Sequence, residues 1–129
     1  MNIQEKLEKL NIEVPTELSE FLESGHDCLS DYCHEYADGD ADVIYYARAE
    51  ALYHEASAAE REEAEEMNSD CGGFPDDCDM AQRFTILAYW IVNARIGETI
   101  REQAGELAEL IRERIEELDE IADTLEDIY

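Results

Sequence analysis

The sequence predicts an all-α fold: one small helical domain with a long C-terminal arm. Three observations carry this. Apolar residues recur at steps of three and four along most of the chain, and no stretch alternates with period two over a useful length. Pro15, Gly25, Gly39, Gly72-Gly73 and Pro75 punctuate those runs. Apolar residues make up 45% of the chain, enough for the core that a disordered acidic chain lacks. The 129 residues are accordingly read as a single domain, 1–129, with residues 1–14 as a helical appendage and 98–129 as the arm.

Asn2 to Leu10 reads as a short helix, with Asn2 and Glu5 in capping-box spacing and Ile3, Leu7 and Leu10 on one face. Pro15 ends that pattern and Thr16 is placed to cap a second helix, about Glu17 to Ala37, which Gly25 can split. Leu18, Phe21, Leu22, Cys28, Leu29, Tyr32, Cys33 and Tyr36 form its apolar face. Asp38-Gly39-Asp40 is a turn with Gly39 in C-cap position, and Asp40 or Asp42 caps a third helix, about Val43 to Met67. Its stripe is Tyr45, Ala49, Leu52, Ala56 and Ala59. Asn68 to Asp77 is a loop, and Asp76 or Asp77 starts the arm.

The arm spans about Asp79 to Ile128. Met80, Phe84, Leu87, Ile91 and Ala94 make one stripe, which resumes as Ala104, Leu107, Ile111, Ile115, Leu118, Ala122 and Leu125. Its other face carries a ladder of carboxylates from Glu98 to Asp127. Unbroken, the arm would be roughly 70 Å long. Gly97 and Gly105 can bend it, since glycine costs about 1 kcal/mol against alanine in a helix. Pairs three or four residues apart are expected to let Arg83, Arg95, Arg101, Arg112 and Arg114 neutralise part of the ladder.

Charge is the dominant chemical feature. The formal net charge is −26, from 35 acidic and nine basic side chains, and self-repulsion at that density opposes compaction. Between Glu13 and Asp79 there are 21 acidic residues against Arg48 and Arg61 alone. A polyanion repels nucleic acid and anionic membranes and attracts proteins with basic clefts. No run of 18 apolar residues suggests a membrane span, and MNIQEKLEKL lacks the apolar core of a signal peptide, so a cytoplasmic location and free thiols are expected.

Signals for catalysis and metal binding are weak. Cys28, Cys33, Cys71 and Cys78, with His26 and His34 nearby, are spaced too loosely for a zinc site, and buried thiols are the preferred reading over zinc or a disulfide. Asp38-Gly39-Asp40-Ala41-Asp42 opens like a calcium loop but continues with Val43 and Ala49 where glycine and glutamate belong. Glu60-x-x-Glu63 and Glu120-x-x-Asp123 have the spacing of magnesium motifs in all-helical nucleotide pyrophosphohydrolases, without a nearby cation to grip phosphate. Asp31-x-x-His34 has that of a di-iron pair. Serine elbows, phosphate loops and dinucleotide loops are absent from the sequence. No cofactor, no metal and no catalytic residue are therefore expected. Tyr32, Tyr36, Tyr45, Tyr46 and Tyr53 form an aromatic group, read as core with phenol tips at the surface rather than as an interface patch.

The carboxylates remain. A solvated face conferring solubility is the plain reading, but the excess far exceeds what solubility needs. B-DNA carries a charge about every 1.7 Å of its axis, and acids three or four apart on packed helices give rows about 5–6 Å apart. Neighbouring rows approach the phosphate density of a duplex groove, so a lysine- and arginine-lined cleft would accept them. The acids expected to make this protein-binding surface are Asp27, Asp31, Glu35, Asp38, Asp40, Asp42, Glu50, Glu55, Glu62, Glu66, Asp76, Asp77 and Asp79.

Two short motifs carry a family resemblance. Asp31-Tyr32-Cys33-His34-Glu35-Tyr36-Ala37-Asp38 resembles the Asp-x-x-His-Glu-x-Ala-Asp helix end of the Ocr antirestriction proteins of bacteriophages, with Tyr45-Tyr46 where that family has a tyrosine pair. Ile91-Val92-Asn93-Ala94-Arg95-Ile96-Gly97-Glu98 is similar to the family's Ile-Leu-Gln-Ala-Arg-Ile-Tyr-Glu. The similarity spans roughly Leu18 to Glu109. Val43-Ile44 replaces the family's Val-Pro, and the N-terminal helix and the far end of the arm lie outside the match. The resemblance implies a phage-encoded acidic homodimer, curved like bent DNA, acting in the infected bacterial host. It would occupy the DNA channel of a defence enzyme, a type I restriction-modification complex or a BREX methyltransferase. Rival readings are an anti-CRISPR protein, an acidic protein-binding adaptor and a metal-dependent pyrophosphohydrolase.

Overall fold

A computed structural model describes residues 2–128, and among them the secondary structure is all α-helix, with no strands. The helices are α1 Ile3–Lys9, α2 Thr16–Glu23, α3 Leu29–Asp38, α4 Ala41–Ile44, α5 Tyr46–Glu55, α6 Ala58–Asp70 and α7 Met80–Glu126. The chain packs as two units. One comprises Met1–Glu23 with Thr99–Tyr129, and the other Ser24–Glu98, so α7 contributes its first part to the second unit and the rest to the first.

In the Ser24–Glu98 unit the starts and stops of the helices follow local chemistry. Gly25 adopts a φ of 79°, which side-chain-bearing residues avoid, and ends the run begun by α2. Gly39 closes α3 with a φ of −91°, so the expected C-cap is present without the left-handed turn that favours glycine. Asp40 accepts the Asp42 N–H at 2.8 Å and caps α4.

The single helix expected over Val43–Met67 is instead three. Tyr45 is extended at φ −99°, ψ 116°, which separates α4 from α5. Ala56 and Ser57 are extended between α5 and α6. The second break is stabilised by a capping box: Ser57 Oγ accepts the Glu60 N–H at 3.1 Å, and Glu60 accepts the Ser57 N–H at 3.1 Å. Helix α6 runs to Asp70, into the expected loop, and Gly72 and Gly73 then turn the chain with φ of 107° and 77°. The cap of α7 is Asp79 rather than Asp76 or Asp77: its carboxylate accepts the Gln82 N–H at 2.8 Å and Gln82 Oε1 accepts the Asp79 N–H at 2.9 Å.

The core of this unit gathers Ala37, Val43, Ala49, Leu52, Ala56, Ala64, Leu87, Ala88, Ile91 and Val92, with Tyr53, Phe74, Phe84, Tyr89, Trp90 and Ile96 packed against it. Its small residues let helix backbones approach closely, and Ile91 is the most deeply buried large side chain. Met80, expected on the stripe, is exposed, since the core begins a turn later at Phe84.

The other unit is held by Leu7, Leu18, Ile100 and Leu107, all buried. Asn2 caps α1 by accepting the Glu5 N–H at 2.8 Å. Gln4 joins α1 to α2 by donating to Ser19 Oγ at 2.9 Å and Glu23 Oε1 at 3.0 Å. Gln103 of α7 accepts the Leu18 N–H at 3.0 Å and donates to Glu17 at 2.6 Å, and that bond lowers the pKa of Glu17. Gly97 and Gly105 both lie inside α7, which is assigned as one helix through them. The apolar rail predicted along the arm is covered only in part: Leu107 is buried and Ile111 half-buried, but Ile115, Leu118, Ala122 and Leu125 are exposed. No helix among the described residues is long and apolar enough to cross a membrane.

Candidate functional site

All thirteen acids singled out in the sequence fall within Ser24–Glu98, where 18 acidic side chains face four basic ones. Twelve are exposed, and Asp40, engaged in its cap, is half-buried. On α3, Asp31, Glu35 and Asp38 succeed one another at steps of four and three, which places them in one row on the helix surface. The following turn adds Asp40 and Asp42. On α6, Glu62, Glu66 and Asp70 repeat the pattern at steps of four, and all are exposed. Asp70 is a member of this row that sequence reasoning left out, because the helix was expected to end before it. Glu50 and Glu55 lie on α5, and Asp76, Asp77 and Asp79 stand between α6 and α7.

These acids receive little internal compensation. Among the described residues one arginine–carboxylate ion pair forms, Arg95 to Glu60, and Glu60 is not one of the thirteen. The other arginines of this unit engage aromatic rings: Arg48 stands over Tyr45, Arg61 over Tyr53 and Arg83 over Phe74, with 5.5, 5.8 and 5.2 Å between guanidinium carbon and ring centre. The pairing expected along the arm does not occur: Arg101, Arg112 and Arg114 make no ion pair among the described residues. Long exposed side chains gain too little from such pairs to be held in one geometry. Two histidines do meet acids, His26 with Glu35 and His54 with Glu50, the latter at 3.7 Å. Asp42 and Glu55 share a hollow of about 390 Å³ with Arg48 and Arg95.

The aromatic group divides. Tyr32 is buried and Tyr53 half-buried, donating to Glu65 Oε1 at 2.9 Å, and burial raises its phenol pKa. Tyr36, Tyr45 and Tyr46 are exposed, together with Ile44, beside the acids of the α3–α4 turn. The expectation of core residues with phenol tips therefore holds for two of the five, and the remaining three present large rings to solvent. Exposed aromatic residues ringed by charge have the composition of interface anchors.

His34 has a structural setting. It bonds the Tyr89 hydroxyl, Asn93 Nδ2 lies 3.1 Å from its Nδ1, and its ring stacks on Tyr89 and meets Trp90 edge-on. Burial raises the Tyr89 pKa. The Asp31–Asp38 motif on α3 and the Ile91–Glu98 motif on α7 are thus joined side chain to side chain, through His34 and Asn93. No disulfide forms among the described residues; Cys33 is buried as expected, whereas Cys28 is exposed at the N-cap of α3 rather than on its apolar face, and Cys71 is exposed as well. No group of three or more His, Cys, Asp or Glu among the described residues is arranged to hold a metal ion.

Comparisons with protein-family models, with curated proteins and with solved structures give no match.

Proposed function

We propose that the protein is a phage-encoded DNA mimic that occupies the DNA-binding channel of a bacterial defence enzyme, a type I restriction-modification complex or a BREX-type methyltransferase. The supporting observation is the row-wise, exposed and uncompensated set of carboxylates on α3, α6 and their flanking turns. Rows at one-turn spacing present negative charge at a pitch that a channel lined with lysine and arginine binds as it binds phosphates. The acids carry no base edges and no catalytic duty in this reading. Affinity comes from distributed charge, and the exposed Tyr36, Tyr45 and Tyr46 add contact area.

The test is competition. Purified protein is titrated into a type I restriction enzyme bound to a fluorescent duplex, and release of the duplex is followed. Release at a stoichiometry of sites, with no change to the DNA or to the protein, is the expected result. Binding to the enzyme without displacement of DNA would sink the reading and favour an acidic adaptor; release of pyrophosphate from a nucleotide with magnesium would favour an enzyme.

A further inference from the structure

The far end of α7 is an amphipathic helix on which nothing packs among the described residues. Every residue from Arg112 to Ile128 is exposed. Ile115, Leu118 and Leu125 are 52, 60 and 61% exposed although they share one stripe. A lone helical segment of this length is marginal in water, and most helical stability comes from burying such a stripe.

We infer that a second copy of the same arm covers it, running antiparallel. The apolar seam reads Ala108, Ile111, Ile115, Leu118, Ala122 and Leu125, a 3-4 repeat with no charged member. Set against its own reverse, this seam places each alanine against a large residue, Ala108 facing Leu125 and Ala122 facing Ile111, while Ile115 faces Leu118 at the centre. A parallel pairing would instead put Ala108 against Ala108 and Ala122 against Ala122, leaving gaps at two of six layers. Charge permits the same pairing at the edge of the seam. The positions beside the seam carry Arg112 at one end and Asp119 and Glu126 toward the other, so reversal places each Arg112 beside an acid of the opposite arm. The other carboxylates of this stretch, Glu109, Glu113, Glu116, Glu117, Glu120, Asp123 and Asp127, fall on the outer positions of the repeat. A basic partner protein would find those acids but would meet Arg112 and Arg114 at the edge of the apolar seam.

The pairing does not rest on the DNA-mimic reading, and salt separates the two. Each arm is net negative, so screening favours self-association, whereas binding to a basic channel is weakened by salt. Analytical ultracentrifugation of the full chain at about 0.1 M and about 1 M salt should show a dimer that tightens at the higher value, where the Debye length falls from roughly 10 Å to 3 Å. Leu118→Asp should weaken dimerisation on the order of a hundredfold with circular dichroism of the Ser24–Glu98 unit's helices retained, since the residue is exposed in the monomer. Direction is read by mixing Ile111→Cys with Ala122→Cys protein under mild oxidation and mapping the peptides by mass. An Ile111→Cys to Ala122→Cys cross-link supports the inference; links of each variant to itself mean a parallel pair and overturn it. A monomer at both salt concentrations, or a dimer indifferent to Leu118→Asp, overturns it as well.

Discussion

Arg95 on α7 grips Glu60 on α6 with two hydrogen bonds, Nε to Oε2 at 2.5 Å and Nη2 to Oε1 at 3.2 Å. Glu60 is also the partner of Ser57 in the capping box that starts α6. The guanidinium, followed by the bond to the Ser57 backbone, holds this carboxyl well below the usual 4.5, at about 2. The one well-formed arginine pair of the acidic unit is therefore spent on fixing α6 against α7, which leaves the outward rows of α6 bare.

Removing the guanidinium should show this in a pH profile. Glu60 has a folded pKa of about 2, below its ordinary 4.5, so the pair's contribution is complete above the higher value and is lost as pH falls through the lower. Both side chains are partly exposed, so solvent screening limits the contribution to about 1 kcal/mol. Arg95→Ala should thus lower the urea midpoint near neutral pH, with the gap from the parent protein narrowing between pH 4.5 and about 2. A gap that stays constant across that window would mean that Arg95 stabilises by packing its aliphatic stem rather than by its charge.

Ile91 tests where the core lies. It is 1% exposed, among Ala37, Ala49, Leu52 and Leu87 in the same cluster. Ile91→Ala removes buried methylenes from a core rich in small residues, and the loss should be about 2–5 kcal/mol. Thermal denaturation checks it, with Ile115→Ala as the contrast. That residue is exposed in the monomer, and its truncation should leave the Ser24–Glu98 unit's melting transition unmoved.

How much of this was legible in sequence depends on the kind of signal. Helical periodicity gave the all-α class and the core positions Leu87, Ile91, Ala49 and Leu52, because burial against neighbours repeats the 3.6-residue period. Caps were partly legible: Asn2 and Asp40 act as read, whereas Asp79 was passed over for its neighbours although Gln82 stands three residues on. The Ser57-Ala58-Ala59-Glu60 box was equally readable, but the continuous Ala-rich stripe from Ala49 to Ala59 masked it. The exposure of the acids followed from composition, since so few cations are present to bury them. What sequence does not encode locally is which stretch of an amphipathic helix has a partner. Leu107 and Leu118 sit on one stripe, and only the first is covered.

The caps make a second stability test. Ser57→Ala and Asp79→Ala each leave backbone N–H groups of a first turn without a side-chain acceptor, at about 1 kcal/mol apiece. The two sites belong to different helices, so the double variant should cost close to the sum of the singles in a denaturant titration. Hydrogen exchange should quicken at Glu60 and Gln82 N–H respectively. Unchanged protection at both would mean that water or another group satisfies these donors equally well.

The acidic rows make the functional test, and distributed charge gives a distinctive pattern. Neutralising Asp31, Asp38, Glu62 or Glu66 one at a time should change competition with duplex DNA by no more than about threefold, because each exposed charge contributes under roughly 1 kcal/mol. Reversing Asp31, Glu35 and Asp38 together to lysine should abolish competition, since it turns a continuous negative row on α3 into a positive one that a basic channel repels. Helicity should survive, as all three are exposed and none lines the core. Raising salt should weaken binding of the parent protein steeply, with a shallower slope for variants that carry fewer acids. If one alanine substitution alone removed inhibition, or if the affinity were flat in salt, a discrete binding site would replace the distributed surface as the explanation.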